Sequence, residues 1–400
     1  MKAPRAPRAE PALPPVLWAL LFGNFVIGTG VMVVPGTLND ISASLQVSIP
    51  VAGQLISASA LLMCLGAPLC AAVVAGWDRR RLLALSMVWY ALLHLLCATM
   101  PNFASLMVVR VLAVISPAIF TPQAAACVGQ LVPASQRGKA ISLVFLGWSV
   151  ASVLGLPLGA WIGGALGWRA AFALVGLLSF GSALWVWRAM PQGIRPPAFP
   201  LSAWRETFQS RALMLCVAVT ALYAAGQSVL MSYLAPYYKA SFNITPVQLS
   251  LMFTWFGAFG FVGNLWVSQH IDRLGPSRAV MLAVCGMATT MALWPLGSSL
   301  MLAALVIIPW GLGCFAANSA QQARLSVTAP ALASGSISLN TSAMYAGQAL
   351  GAAGGGWLIA QDQMSMLHWA ALVSLSLSML VSWLAGRAVH HPPAVVASQR

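Results

Sequence analysis

Apolar runs of about twenty residues or more follow one another along the chain, separated by short breaks rich in glycine, proline and arginine. A bilayer core of about 30 Å takes roughly 20 apolar residues of helix, so each run can cross once. The pattern predicts twelve crossings, near residues 15–38, 50–75, 82–100, 104–130, 140–165, 169–188, 212–238, 247–269, 279–297, 299–322, 334–358 and 367–386. A membrane β-barrel would show alternating segments of about ten residues with polar lumen positions, and none occur. The expected fold is an all-α membrane protein of twelve transmembrane helices, spans 1 to 12. The longest break, 188–211, divides them six and six and includes Pro191, Pro196, Pro197 and Pro200. The expected organisation is a tail at 1–14, a six-helix bundle at 15–188, a linker at 189–211, a second bundle at 212–386 and a tail at 387–400.

Composition excludes a soluble globule. Hydrophobic residues are 60% and charged residues 6% of the chain, with a mean hydropathy of +0.85, where soluble domains carry roughly a quarter charged. Lys2, Arg5 and Arg8 precede the first run as in a signal peptide. That run is too long for a signal core, and it reads as an uncleaved first span. The net charge of +14 sits in short clusters between spans, so it predicts orientation rather than nucleic-acid binding. Seventeen of the 20 basic residues fall in segments on the N-terminal side; only Arg110, Arg169 and Lys239 do not. Both termini are therefore expected in the cytoplasm, with the bundle in a bacterial inner membrane. The seven cysteines lie in apolar stretches without metal-ligand spacing and read as core residues. No metal, cofactor or enzyme constellation is expected.

The halves repeat each other weakly, at an offset of 194 to 196 residues. Gln54-Leu55 returns as Gln248-Leu249, and Asp78-Arg79 returns as Asp272-Arg273. In span 5, Gly147, Ala151, Gly155, Gly159 and Gly163 recur every fourth residue, as do Ala343, Gly347, Gly351 and Gly355 in span 11. Such stripes occupy one helix face and admit a close neighbour; they are expected to pack spans 5 and 11 between the halves. Two like halves around a midplane site is transporter architecture.

Four motifs carry a family resemblance over nearly the whole chain. They are Gly76-Trp77-Asp78-Arg79-Arg80-Arg81 after span 2, its better copy His270 to Arg278 after span 8, Gly155-Leu156-Pro157-Leu158-Gly159 in span 5, and Gly167-Trp168-Arg169-Ala170-Ala171-Phe172 leading into span 6. With these the chain resembles the major facilitator superfamily, in its drug:proton antiporter branch of arabinose, ribonucleoside and chloramphenicol exporters. Val31 stands where related exporters often carry a glutamate in span 1. Ala113 and Val114 follow Arg110 where glutamine and glycine are usual.

The resemblance implies alternating access, with a central cavity lined by spans 1, 4, 7 and 10. The polar residues expected there are Asn24, Gln123, Tyr223, Gln227, Trp310 and Asn318, joined by Asn340, Tyr345 and Gln348 of span 11. They describe a neutral, aromatic-rich cavity suited to an uncharged or lipophilic solute, although each could instead bond helices together. Arg110 is the one charge well inside a span, at a cost of about 2.5–3.5 kcal/mol on insertion scales, and it is expected to take part in coupling. Asp40, just past span 1, is the acid expected to titrate with it. His94 reads as a hydrogen-bonded structural histidine whose loss is nearly silent. Asp78, Arg79 and Arg81, with Asp272, Arg273 and Arg278, are expected to latch a cytoplasmic gate. Gly155, Pro157 and Gly159 are expected to bend span 5, since proline removes a backbone donor. The expected function is export of a small organic molecule across the inner membrane in exchange for protons. Alternatives are an uncoupled facilitator and a transporter-like sensor or scaffold. The expected partners are the solute, protons and lipid, with the chain monomeric.

Overall fold

The computed structural model describes residues 14–74, 76–133, 136–195 and 201–390. Among them, eleven helical segments are long and apolar enough to cross a membrane. The helix Ala333–Ala360 lies beside them as span 11. It is rich in glycine, serine and alanine, so close packing rather than hydropathy places it among the others.

The first bundle runs Val16–Leu45, Ile49–Val73, Arg79–Thr99, Phe103–Ala113 continued by Ile115–Leu131, Arg137–Val150 continued through Leu166, and Trp168–Ala189. The second runs Arg211–Met231 continued by Leu234–Phe242, then Pro246–Leu274, Pro276–Leu293, Leu300–Val306 continued by Ile308–Thr328, Ala333–Ala360 and Leu367–His390. A short helix, Leu201–Gln209, occupies the linker where an irregular loop was expected. Gly275 joins spans 8 and 9 at φ 78°, a left-handed turn open to glycine, and Pro276 starts the next helix with φ already set.

Span 5 contains a five-residue π turn, Ala151–Gly155, one turn before Pro157. The proline has no N–H to give the turn behind it, and the wider turn absorbs the defect.

The glycine stripes correct the sequence expectation. They face each half's own first helix. A Cβ on Gly147, Gly155 or Gly159 would meet Leu21, Thr29 or Val33 of span 1. One on Gly347, Gly351 or Gly355 would meet Ala221, Ala225 or Val229 of span 7. Spans 5 and 11 reach the other half with their remaining faces, span 5 against span 8 and span 11 against span 2. Small residues also admit close approach between the halves, as at Gly257 of span 8 against the Ser152 backbone of span 5.

Candidate functional site

A cavity of about 100 Å³ lies between the two bundles at mid-height. Its walls are mostly apolar: Val31 of span 1, Leu55, Ile56 and Met63 of span 2, and Leu156 of span 5. The polar atoms are few. They come from Ser59, Arg110, Trp148, Ser228, Ser232 and Gln348. Spans 2 and 5 thus contribute as much as spans 1 and 7, and span 10 does not reach the lining.

Arg110 is 2% exposed. One terminal nitrogen donates to the Gly30 carbonyl at 2.8 Å, and the other lies 3.0 Å from His94 Nε2. A guanidinium has only donors, so His94 Nε2 must accept. The proton is then on Nδ1, which donates to the Tyr90 carbonyl at 2.9 Å. This arrangement fixes the neutral tautomer of His94. The Arg110 Nε–H is buried and has no partner among the described residues. Ser59, 6% exposed, likewise has an Oγ with no partner.

Of the expected cavity residues, Gln348 lines the space and Tyr345 packs beside it against Met63 and Val114. The others lie elsewhere. Asn24 is buried; it donates to the Val144 carbonyl at 3.0 Å and accepts from Thr121 at 2.8 Å, tying spans 1, 4 and 5. Its counterpart is inverted in the second half. There Asn340 of span 11 accepts from Thr220 of span 7 and donates to Asn318 of span 10 at 3.3 Å. Asn24 and Thr220, and Val144 and Asn340, are both 196 residues apart. The amide has changed helices while the three-helix clamp has stayed in place. Tyr223 is fully buried in the core, and Trp310 packs on Phe256 and Trp294 with ring centroids 5.1 and 6.4 Å away. Gln123 is buried and Gln227 half-buried, both outside the lining. These placements correct the neutral-cavity reading. Amides inside a bundle find helix partners first.

Of the expected gate residues, Asp78 is an anchor within its own half. Its carboxylate caps span 3 by accepting from the Arg81 N–H at 3.3 Å and accepts from the Gly193 N–H at 2.6 Å. Burial alone would raise this carboxyl, but the N–H groups of Gly193, Arg81 and Arg80 together hold it below its ordinary value of 3.8. Arg79 donates to the Val74 and Trp77 carbonyls, and its own N–H to Ile194 O. Arg81, Arg273 and Arg278 are exposed. The Asp272 side chain lies outside the described residues.

The face opposite the termini is closed by Asp40, Pro157 and several residues the sequence reading did not single out. The Tyr233 ring of span 7 fills the space left by Gly53 of span 2 and Gly356 of span 11, and its hydroxyl donates to Ala352 O at 2.8 Å. Gly164 of span 5 meets Pro246 of span 8, and Ser250 donates to the Pro157 carbonyl at 3.0 Å. Asp40 is in the last turns of the first helix rather than past it, and it faces Lys239 of the other half. The signal for this seam was present in the sequence as glycines at 53, 164 and 356, but their partners are more than 60 residues away in the chain. Arg169 braces the same face within the first half, donating to Ser44 Oγ at 3.1 Å and Met100 O at 3.0 Å.

Two six-helix bundles around a shared cavity define a membrane transporter architecture. Residues 20–352 and 218–400 match the Major Facilitator Superfamily, and the chain belongs to that family. It is 32% identical over 278 residues to the chloramphenicol resistance protein of Streptomyces lividans, covering 68% of this chain and 70% of that one. It is 29% identical over 345 residues to the inner membrane transport protein YdhP of Escherichia coli K12, covering 86% and 88%. A D-xylose–proton symporter is similar in structure, with a TM-score of 0.74 at 18% identity over 92% of this chain and 96% of that one. So is a bacterial homologue of the human lysosomal transporter Spinster, solved inward-facing and unoccupied, with a TM-score of 0.74 at 17% identity over 94% and 97%. The last two likenesses carry the fold.

Proposed function

We propose that this multi-pass protein exports small organic molecules across a bacterial inner membrane by alternating access, in exchange for protons. The carrying observation is the midplane cavity, bounded by both halves and sealed at the face away from the termini. In that state the solute approaches from the side bearing the termini, and export needs that side to be the cytoplasm. The arginine-rich loops on that side support this orientation. Relatives named as a chloramphenicol resistance protein, an inner membrane transport protein and a probable sugar efflux transporter support the direction.

In this reading Arg110 is the charge that solute and proton both sense. Asp40 acts at the far face, where its attraction to Lys239 holds the halves together. A proton on Asp40 cancels that attraction and favours opening, so a pH gradient acts on closure rather than on solute contacts. An uncoupled facilitator is the second reading, favoured by one fact: all six acids of the chain stand at span ends or in loops. Inverted vesicles separate the two. Accumulation of a compound to which a deletion strain is sensitive should follow an imposed pH gradient; mere equilibration would leave the facilitator. Orientation has its own check. A reporter fused after Gly193 should read cytoplasmic and one after Phe242 periplasmic. The reverse pattern would turn export into import.

A further inference from the structure

We propose that the cavity binds the anionic head of an amphiphilic solute, with Arg110 as its counter-charge and Ser59 as a second donor. The inference rests on the transporter reading above and names the solute class for it.

A guanidinium keeps its proton in proteins, and a buried charge without a partner is strongly disfavoured. Among the described residues, Arg110 has no carboxylate to pair with. The six acids of the chain are Glu10, Asp40, Asp78, Glu206, Asp272 and Asp362, so spans 2, 4, 5, 7 and 11 have none in their interiors. Asp40, on span 1, is ten residues from Gly30, about 15 Å along the helix. What Arg110 does hold is neutral: a backbone carbonyl, the lone pair of a histidine whose other nitrogen donates to Tyr90 O, and the face of the Phe172 ring, 5.8 Å from the guanidinium carbon. The site therefore keeps a net positive charge.

The donors are also incomplete. The Arg110 Nε–H and the Ser59 hydroxyl are both buried, lack partners, and belong to residues that line the cavity. Two unsatisfied donor groups and one unbalanced cation in the same walls call for an acceptor with negative charge. A carboxylate supplies both, and pairs with guanidinium through two parallel bonds. The remaining walls, Val31, Leu55, Ile56, Met63 and Leu156, suit an apolar body behind that head. At about 100 Å³ the space takes a headgroup and not a whole drug-sized solute, so the body extends along the apolar walls of spans 2 and 5 as the halves part. A cationic drug would meet like charge with no acid to offset it.

The test uses the full chain in lipid nanodiscs and a matched pair of probes, 4-phenylbutanoate and 4-phenylbutanamide, titrated by calorimetry at neutral pH. The wild type should prefer the carboxylate on the order of tenfold, as expected for a charge-assisted pair. Arg110→Gln should abolish the preference, Arg110→Lys should keep part of it, and Ser59→Ala should weaken both probes. Thermal unfolding checks that each variant is folded; if Arg110→Gln is not, Arg110→Lys and Ser59→Ala carry the comparison. Equal affinities for the two probes in the wild type, an undiminished preference in the Arg110 variants, or unweakened binding of both probes to Ser59→Ala would overturn the proposal. Counterflow in vesicles distinguishes the two levels. Movement of neutral compounds untouched by 4-phenylbutanoate sinks the anion site and leaves the transporter. A carboxylate preference without any counterflow sinks the transporter and leaves the site.

Discussion

At the scale of single residues, the state of His94 is settled by what Arg110 can and cannot do. Arg110 only donates, so the histidine accepts, and the pair becomes a unit linking spans 1, 3 and 4. The expectation of a nearly silent His94 changes accordingly. Removing the acceptor strands a charged donor in a buried position, at about 1–3 kcal/mol. His94→Ala should therefore lower the melting temperature and abolish transport, while His94→Gln, whose amide oxygen can accept, recovers part of both. Wild-type melting and transport in His94→Ala would show that the bond has no consequence. Asn24 and Asn340 make the complementary point. An amide in a span looks like a solute contact in the sequence, yet both are consumed by hydroxyls and carbonyls of neighbouring helices.

At the scale of elements, span 3 begins where Asp78 holds it. The carboxylate caps the helix and reaches Gly193, so one side chain joins the loop after span 2 to the segment after span 6. Losing a cap costs about 1 kcal/mol, and Asp78→Ala should lower stability by that order. The folded-state pKa lies below the ordinary 3.8. The stabilisation is thus complete above 3.8 and is lost as the pH falls through the lower folded value. Acid titration of melting temperature should show this loss in the wild type below pH 3.8 and not in Asp78→Ala. Asp78→Asn keeps a capping oxygen and isolates the charge. An identical acid profile in Asp78→Ala would remove Asp78 from the account. Span 5 shows another element-scale effect. Pro157 was legible as a bend, but the π turn that accommodates it, Ala151–Gly155, has no marker of its own in the sequence.

At the scale of the whole molecule, the closed face is a seam of close contacts joined by one facing charge pair. Gly164 against Pro246, Tyr233 between Gly53 and Gly356, and Asp40 facing Lys239 all lie there. Bulk or lost charge at the seam should shift the population toward a far-face-open state, because a contact made in one state biases only that state. Gly164→Leu and Lys239→Gln should each lengthen the distance between spin labels at Ala43 and Ala240 in a background without native cysteines. An unchanged distance distribution in both would mean that this seam does not set closure.

Hydropathy and a repeat near 195 residues made the twelve spans and their pairing into halves legible, because lipid leaves few ways to satisfy a long apolar backbone, and the family was legible in its four motifs. The stripes of small residues were equally readable as close-packing faces. Which helix each stripe meets was decided by tertiary structure, since a glycine admits any neighbour and names none. The same holds for the cavity. Ser59, Trp148 and Ser228 carry no local mark separating them from helix glue, and Asn24 carried a false one. Arg110 was visible from both sides: rare enough in the sequence to be singled out, but found without a carboxylate in reach only once the helices were placed around it.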